Sequence, residues 1–124
     1  MEAGVQLHRY ASIAGGKAFD SSTGFNVGPG KKTMSPDASW IGQSRIDELT
    51  RLGKAEKFWP ISPDVIVEVK SDTDDFTETV AHASHFRIRG TLYAVAIDPD
   101  TREVVELGTA PEGLTLDVDS IIDA

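Results

Sequence analysis

The sequence predicts an α/β fold with a mixed β-sheet flanked by helices, and three observations carry that prediction. Val65-Ile66-Val67-Glu68-Val69 is β-branched at nearly every position, the pattern of a strand buried on both faces. Leu92-Tyr93-Ala94-Val95-Ala96-Ile97 is a second, near-continuous apolar run. Between them Phe76, Val80, Ala83 and Phe86 or Arg87 recur at helical spacing up to Gly90, a natural stop. Strand, helix and strand over about 64–97 make a right-handed βαβ crossover, whose two strands run parallel.

The other elements follow in chain order. Residues 1–14 place Val5, Leu7, Tyr10 and Ile13 among polar positions, which fits one short helix ending at Gly15-Gly16. From Lys17 to Thr33, Gly24, Gly28, Pro29 and Gly30 break helical hydrogen bonding, so short strands joined by turns are expected. Ala38-Ser39-Trp40-Ile41 reads as a brief strand entered from Pro36-Asp37. Ser44-Arg45-Ile46-Asp47 is a Ser-x-x-Asp helix start and Gly53 a stop, giving a helix over about 45–52. Lys54 to Pro63 is expected to be a loop. Asp72 to Asp75 offers N-caps for the crossover helix, and its acidic first turn suits the helix dipole. Asp98-Pro99-Asp100-Thr101 is a tight turn into Val104-Val105-Glu106-Leu107, an antiparallel partner. Alternation at Leu114-Thr115-Leu116-Asp117-Val118 suggests a last strand or sheet edge.

Composition narrows the function. With 124 residues and 13.4 kDa, 1–124 is expected to be a single domain with one modest core. Cysteine is absent, which excludes disulfides, thiolate metal sites and a cysteine nucleophile. No run reaches the roughly 20 apolar residues of a membrane span, and Met1 opens no signal-peptide pattern, so a cytoplasmic location is expected. The net charge is −8, and it is uneven: residues 1–57 hold eight basic and six acidic side chains, residues 58–124 four and fourteen. That weighs against gripping nucleic acid by phosphate neutralisation alone. It suits a divalent-metal site, which is acidic until the ion is counted.

The informative feature is a charged pair at the end of the most apolar strand. Side chains two apart on a strand face the same way, so Glu68 and Lys70 are expected side by side, roughly 6–7 Å apart at Cα. They emerge at the C-terminal end of the strand, where open α/β sheets place their ligand sites. Burying an unpaired carboxylate is costly, so Glu68 needs Lys70, a metal, or both. Asp37 lies 31 residues earlier at the start of another short strand. Two carboxylates meeting near a lysine can hold Mg²⁺ beside a water that attacks a phosphodiester. Spacing alone does not show that Asp37 and Glu68 meet, and an Asp after a proline is also a common turn residue.

Pro-Asp, a long gap and then Glu-x-Lys is the signature of the PD-(D/E)XK nuclease superfamily. The longer text is more specific: Gly15-Gly16-Lys17-Ala18-Phe19-Asp20-Ser21-Ser22-Thr23-Gly24-Phe25, then Ser35-Pro36-Asp37-Ala38-Ser39-Trp40, then Ser62-Pro63-Asp64-Val65-Ile66-Val67-Glu68-Val69-Lys70-Ser71, then Gly90 through Ile97-Asp98-Pro99. Over roughly 10–122 this resembles the Uma-two family of restriction-endonuclease-like proteins. The resemblance implies a restriction-endonuclease-like core and a Mg²⁺- (or Mn²⁺-) dependent endonuclease acting on DNA, with Asp37 and Glu68 as metal ligands and Lys70 positioning or activating the attacking water. Asp64 matches a second Pro-Asp. On a regular strand it lies about 13 Å from Glu68, so it is a strand-entry residue first and an accessory ligand second. His82 stands where the family commonly has a lysine, and Phe86 where it has a tyrosine; His82 is therefore a candidate phosphate contact. Family chains usually begin further upstream, so the N-terminus is expected to be shortened here. By analogy with restriction-type enzymes a homodimer is expected. The alternative is a nuclease-fold binding or regulatory domain without catalysis.

Other features point less far. His85, three residues from His82, is read as a surface or packed histidine. Lys31-Lys32 and Arg87 with Arg89 are small basic patches of the kind usually just solvated. Trp40, Phe58 and Trp59 are read as core or dimer contacts.

Overall fold

A computed structural model describes residues 2–27, 30, 32–53 and 60–124. Helix α1 (Glu2–Ala14) leads into strand β1 (Lys17–Asp20), followed by β2 (Phe25–Asn26), β3 (Thr33–Met34) and β4 (Ala38–Ile41). Helix α2 (Gln43–Arg51) precedes β5 (Val65–Val69), α3 (Phe76–Ile88), β6 (Tyr93–Ile97), β7 (Val104–Gly108) and α4 (Val118–Ile122). Five strands form one mixed sheet in the order β1-β4-β5-β6-β7, and β2 pairs with β3 as a separate hairpin. Only β5 and β6 run parallel, in register from Val65↔Tyr93 to Val69↔Ile97, with α3 as their crossover.

Strand periodicity divides the core. Val65 and Val67 face α1 and α4 with Ala3, Leu7, Trp40, Val95 and Ile121. Ile66 points the other way, into a cluster with Phe25, Ile41, Ala83, Phe86, Ala94 and Ala96 beneath α3 and the β2–β3 hairpin. Glu68 shares the face of Ile66 by the period of two. Trp40, expected to be a core or dimer contact, lies in the core, meets Tyr10 edge-on at 5.0 Å and donates its indole N–H to Gly15 O at 3.0 Å. Gly16, at φ +81°, lets the chain pass Ile41 O where a Cβ would lie 2.2 Å away.

Two expectations need correction. The α2 start is not capped by Ser44, which lies inside the helix; the N-cap is Gly42, without a side-chain cap. A tertiary contact sets this end, because Gly42 N–H donates to the Asp64 carboxylate at 2.7 Å. The alternating tail is no strand either. Leu114, Leu116 and Val118 pack against the α1-side core, and Gln6 exchanges hydrogen bonds with the Asp117 backbone at 2.8 and 3.0 Å. Alternation there serves docking onto α1, and α4 begins at Val118. Phe58, Trp59, Lys31 and most of the expected 54–63 loop lie outside the described residues. No helix among the described residues is long and apolar enough to cross a membrane.

Candidate active site

Antiparallel pairing of β4 with β5 aligns Ala38 with Val67 and Ser39 with Ile66. One step further along the same register, Asp37 stands opposite Glu68. The two carboxylates therefore meet at the C-terminal end of β5, on the α3 face of the sheet. Asp37 Oδ2 accepts the Val69 N–H at 2.7 Å. Glu68 is only 8% exposed and, among the described residues, has no ion pair.

The electrostatics follow from that placement. Burial, followed by the negative charge of Asp37, pushes the Glu68 carboxyl up to about 8; Asp74 adds to the rise and the Asp37 backbone N–H opposes it. Asp37 is raised too, first by burial and then by Asp74, while the Val69 N–H and His82 pull it back. A cavity of about 120 Å³ opens between this pair and α3, with Asp74, Glu78 and His82 on its other wall. Glu78 and His82 are four apart on α3 and so share one helix face. Asp74 and Glu78 were not expected here: the acidic run before α3 reads as capping, and Asp75 is indeed the N-cap, accepting from Thr77 N–H. The i, i+4, i+8 spacing of Asp74, Glu78 and His82 was the available signal.

Lys70 directly follows the last residue of β5, and its backbone N–H still bonds Ile97 O at 2.9 Å. Its ammonium pairs with Asp100 Oδ2 at 3.1 Å and donates to Ser71 O at 3.2 Å. The bond to Asp100 raises the Lys70 pKa above the usual lysine value, burial opposes this, and the charges of Asp100, Asp98 and Asp72 add to it. Asp64 lies at the opposite end of β5. It is 5% exposed and accepts from Gly42 N–H at 2.7 Å and the Arg45 guanidinium at 2.5 Å. Its carbonyl also takes the N–H groups of Leu92 and Tyr93. Arg87 bonds Thr91 O at the far end of α3, away from the carboxylates.

A second, larger cavity of about 500 Å³ adjoins the first, and Glu68 and His82 line both. Lys32 and His85 stand on its walls with Met34 and Phe86. His85 Nε2 is already engaged with Val27 O at 2.8 Å, tying α3 to the β2–β3 hairpin.

Whether the acidic pair suits a divalent cation is a question of donor chemistry. Among the described residues no group of three or more His, Asp or Glu side chains forms a ready cage. Mg²⁺ does not require one: it takes one or two carboxylates and keeps several waters. Two adjacent hard oxygen donors, buried Glu68 and half-buried Asp37, with no ion pair among the described residues, fit it.

The family model described as "Putative restriction endonuclease" (Uma2) matches residues 4–118. This chain belongs to the Uma2 family. Its fold is similar to a solved structure from Anabaena variabilis described as "a putative nuclease belonging to DUF820", with a TM-score of 0.71 at 20% identity, covering 98% of this chain and 76% of that one. Among curated proteins the chain has no significant match. The chain is thus a member of a nuclease family, with the restriction-endonuclease-like resemblance spanning nearly its whole length.

Proposed function

We propose that this Uma2 protein is a Mg²⁺- or Mn²⁺-dependent endodeoxyribonuclease, with Asp37 and Glu68 as the metal ligands of a PD-(D/E)XK site. The observation that carries this reading is the cross-strand carboxylate pair at the C-terminal end of β5, with Glu68 buried, Asp37 half-buried and neither in an ion pair among the described residues. An ionised carboxylate buried beside a second one is costly without a cation, and this supports a binding role for the pair. When bound, the ion would stabilise charge on the phosphate and lower the pKa of a coordinated water.

The chain's own side chains supply the rest. Asp37 is aimed by the Val69 N–H, so its second oxygen is left for a ligand. Lys70 remains an ammonium and acts as a hydrogen-bond donor towards the phosphate or the attacking water. His82 lines both cavities, which supports it as the contact to a phosphate oxygen. The 500 Å³ cavity offers Lys32 beside apolar Met34 and Phe86, a suitable path for a DNA backbone. In hydrolysis the water oxygen bonds to phosphorus, one P–O ester bond breaks, and the leaving sugar oxygen takes a proton.

The test is incubation of purified protein with supercoiled and single-stranded DNA in Mg²⁺ or Mn²⁺, beside Asp37→Asn, Glu68→Gln and Lys70→Ala. Cleavage by wild type that is lost in each variant is expected. Equal cleavage by all four would place the activity elsewhere. No cleavage by wild type, together with a metal-induced rise in Tm that Asp37→Asn and Glu68→Gln abolish, would favour the non-catalytic alternative.

A further inference from the structure

We propose that Asp100 is a positioning residue for Lys70, and that the β6–β7 turn is the bracket that holds this lysine in place. The inference rests on Lys70 acting in the nuclease reaction proposed above.

A lysine is a compact charge on a flexible four-carbon stem, so it contributes little at an active site unless something fixes it. Here the backbone is fixed first: Lys70 N–H donates to Ile97 O at 2.9 Å, continuing the parallel ladder up to the residue before the turn. The side chain is fixed next. It is only 14% exposed, and two of its three N–H donors are used, by Asp100 Oδ2 and Ser71 O. The third has no partner among the described residues and is the one left for a substrate oxygen.

Asp100 is itself held. Asp98 Oδ1 accepts the N–H groups of Asp100 and Thr101 at 2.9 and 3.3 Å. The Asp98 backbone bonds Glu103 O and Arg102 N–H, closing the turn on both sides. Arg102, at φ 65°, reaches back to Asp119 and Asp123 around α4. A buried carboxylate thus stiffens the turn, the turn presents Asp100, and Asp100 directs the ammonium.

The pair is unequal in a telling way. The Asp100 side chain is 66% exposed, so its ion pair adds little to folding. Its partner is nearly enclosed. What Asp100 supplies is therefore direction for Lys70 rather than stability for the fold.

The experiment is a double-mutant cycle of Asp100→Ala with Lys70→Ala, plus Asp100→Glu. Asp100→Ala is expected to lower kcat about tenfold with KM little changed, a loss typical of misplacing one group. Asp100→Glu should recover most of it, and the double variant should be no worse than Lys70→Ala alone. Additive losses, or full activity of Asp100→Ala where Lys70→Ala is inactive, would overturn the positioning role while leaving the nuclease reading intact. Full activity of Lys70→Ala would remove the reading on which the role rests. A second readout needs no turnover: ¹⁵N relaxation of the Lys70 ammonium, ordered in wild type and mobile in Asp100→Ala. Equal order in both would also overturn it.

Discussion

Asp64 and Glu68 bracket the same strand, four residues apart, and both are almost fully buried. Asp64 is saturated: it receives a backbone N–H from Gly42, a guanidinium from Arg45, and sits where β5 is entered. Glu68 meets another carboxylate and, among the described residues, no ion-pair partner, and its carboxyl is pushed up to about 8 by burial and by Asp37. A buried charge is tolerated when it is paired and costly when it is not. The contrast separates a carboxylate that builds the fold from the one we propose as a metal ligand. It also answers which of the two Pro-Asp aspartates faces the Glu-x-Lys end: Asp37 does, and Asp64 does not.

The sharpest way to break this contrast is by activity per folded molecule. Glu68→Gln or Asp37→Asn is expected to reduce kcat/KM on the order of 100- to 1,000-fold. Asp64→Asn, assayed below its unfolding range, should stay within about threefold of wild type. If Asp64→Asn were as inactive as Glu68→Gln while still folded, the division into structural and functional carboxylates would be wrong.

Stability should show the reverse order. Asp64→Asn leaves Arg45 and the Gly42 N–H poorly satisfied, at a cost of about 2–3 kcal/mol, since Arg45 is partly exposed. Urea unfolding monitored by tryptophan fluorescence checks this, and a loss below about 0.5 kcal/mol would deny Asp64 its role. Glu68→Gln removes a charge the fold must otherwise suppress, so without metal it should be neutral or stabilising at pH 8 and above.

That difference has a pH signature with a definite sign. Glu68 titrates near 4.5 in the unfolded chain and near 8 in the native one, so the native state binds the extra proton between those values. Stability is therefore unaffected by Glu68 below about pH 4.5, falls as pH rises, and has lost the full contribution above about pH 8. The loss is on the order of a few kcal/mol. In EDTA, wild type should lose more stability than Glu68→Gln between pH 5 and pH 8.5. Parallel curves for the two proteins would mean that the Glu68 carboxyl is not suppressed in the native state.

What was legible in the sequence follows the range of the interactions. The β5–α3–β6 unit stands out because β-branched runs and helical spacing are local signals. The facing of Asp37 and Glu68 rests on an antiparallel pairing across a long gap, which no spacing rule supplies. The α2 start was misplaced for a similar reason: the Asp64 carboxylate, just before β5, captures Gly42, overriding the Ser44 signature. Asp100 was missed because its ion pair joins the end of β5 to the turn after β6, a contact across 30 residues that no local spacing shows. Once β5 and β6 are taken as parallel neighbours, their register brings Lys70 beside the Asp98–Thr101 turn, so the ion pair was within reach of the sequence.

The smallest expected effect repeats the contrast on α3, where His82 and His85 are three residues apart. His85 is spent: its Nε2 is bonded to Val27 O and pins the hairpin. His82 has no hydrogen bond among the described residues and lines both cavities at their junction with Glu68. His82→Ala should raise KM for DNA about threefold and make binding less steeply salt-dependent, with little change in Tm. His85→Ala should instead cost about 1 kcal/mol by freeing the Val27 carbonyl, with KM rising only as the hairpin loosens. Measuring both variants across a salt series and by thermal unfolding separates the two roles. If the effects were exchanged, with His85 setting the salt slope and His82 the stability, the larger cavity would not be the path of the DNA backbone.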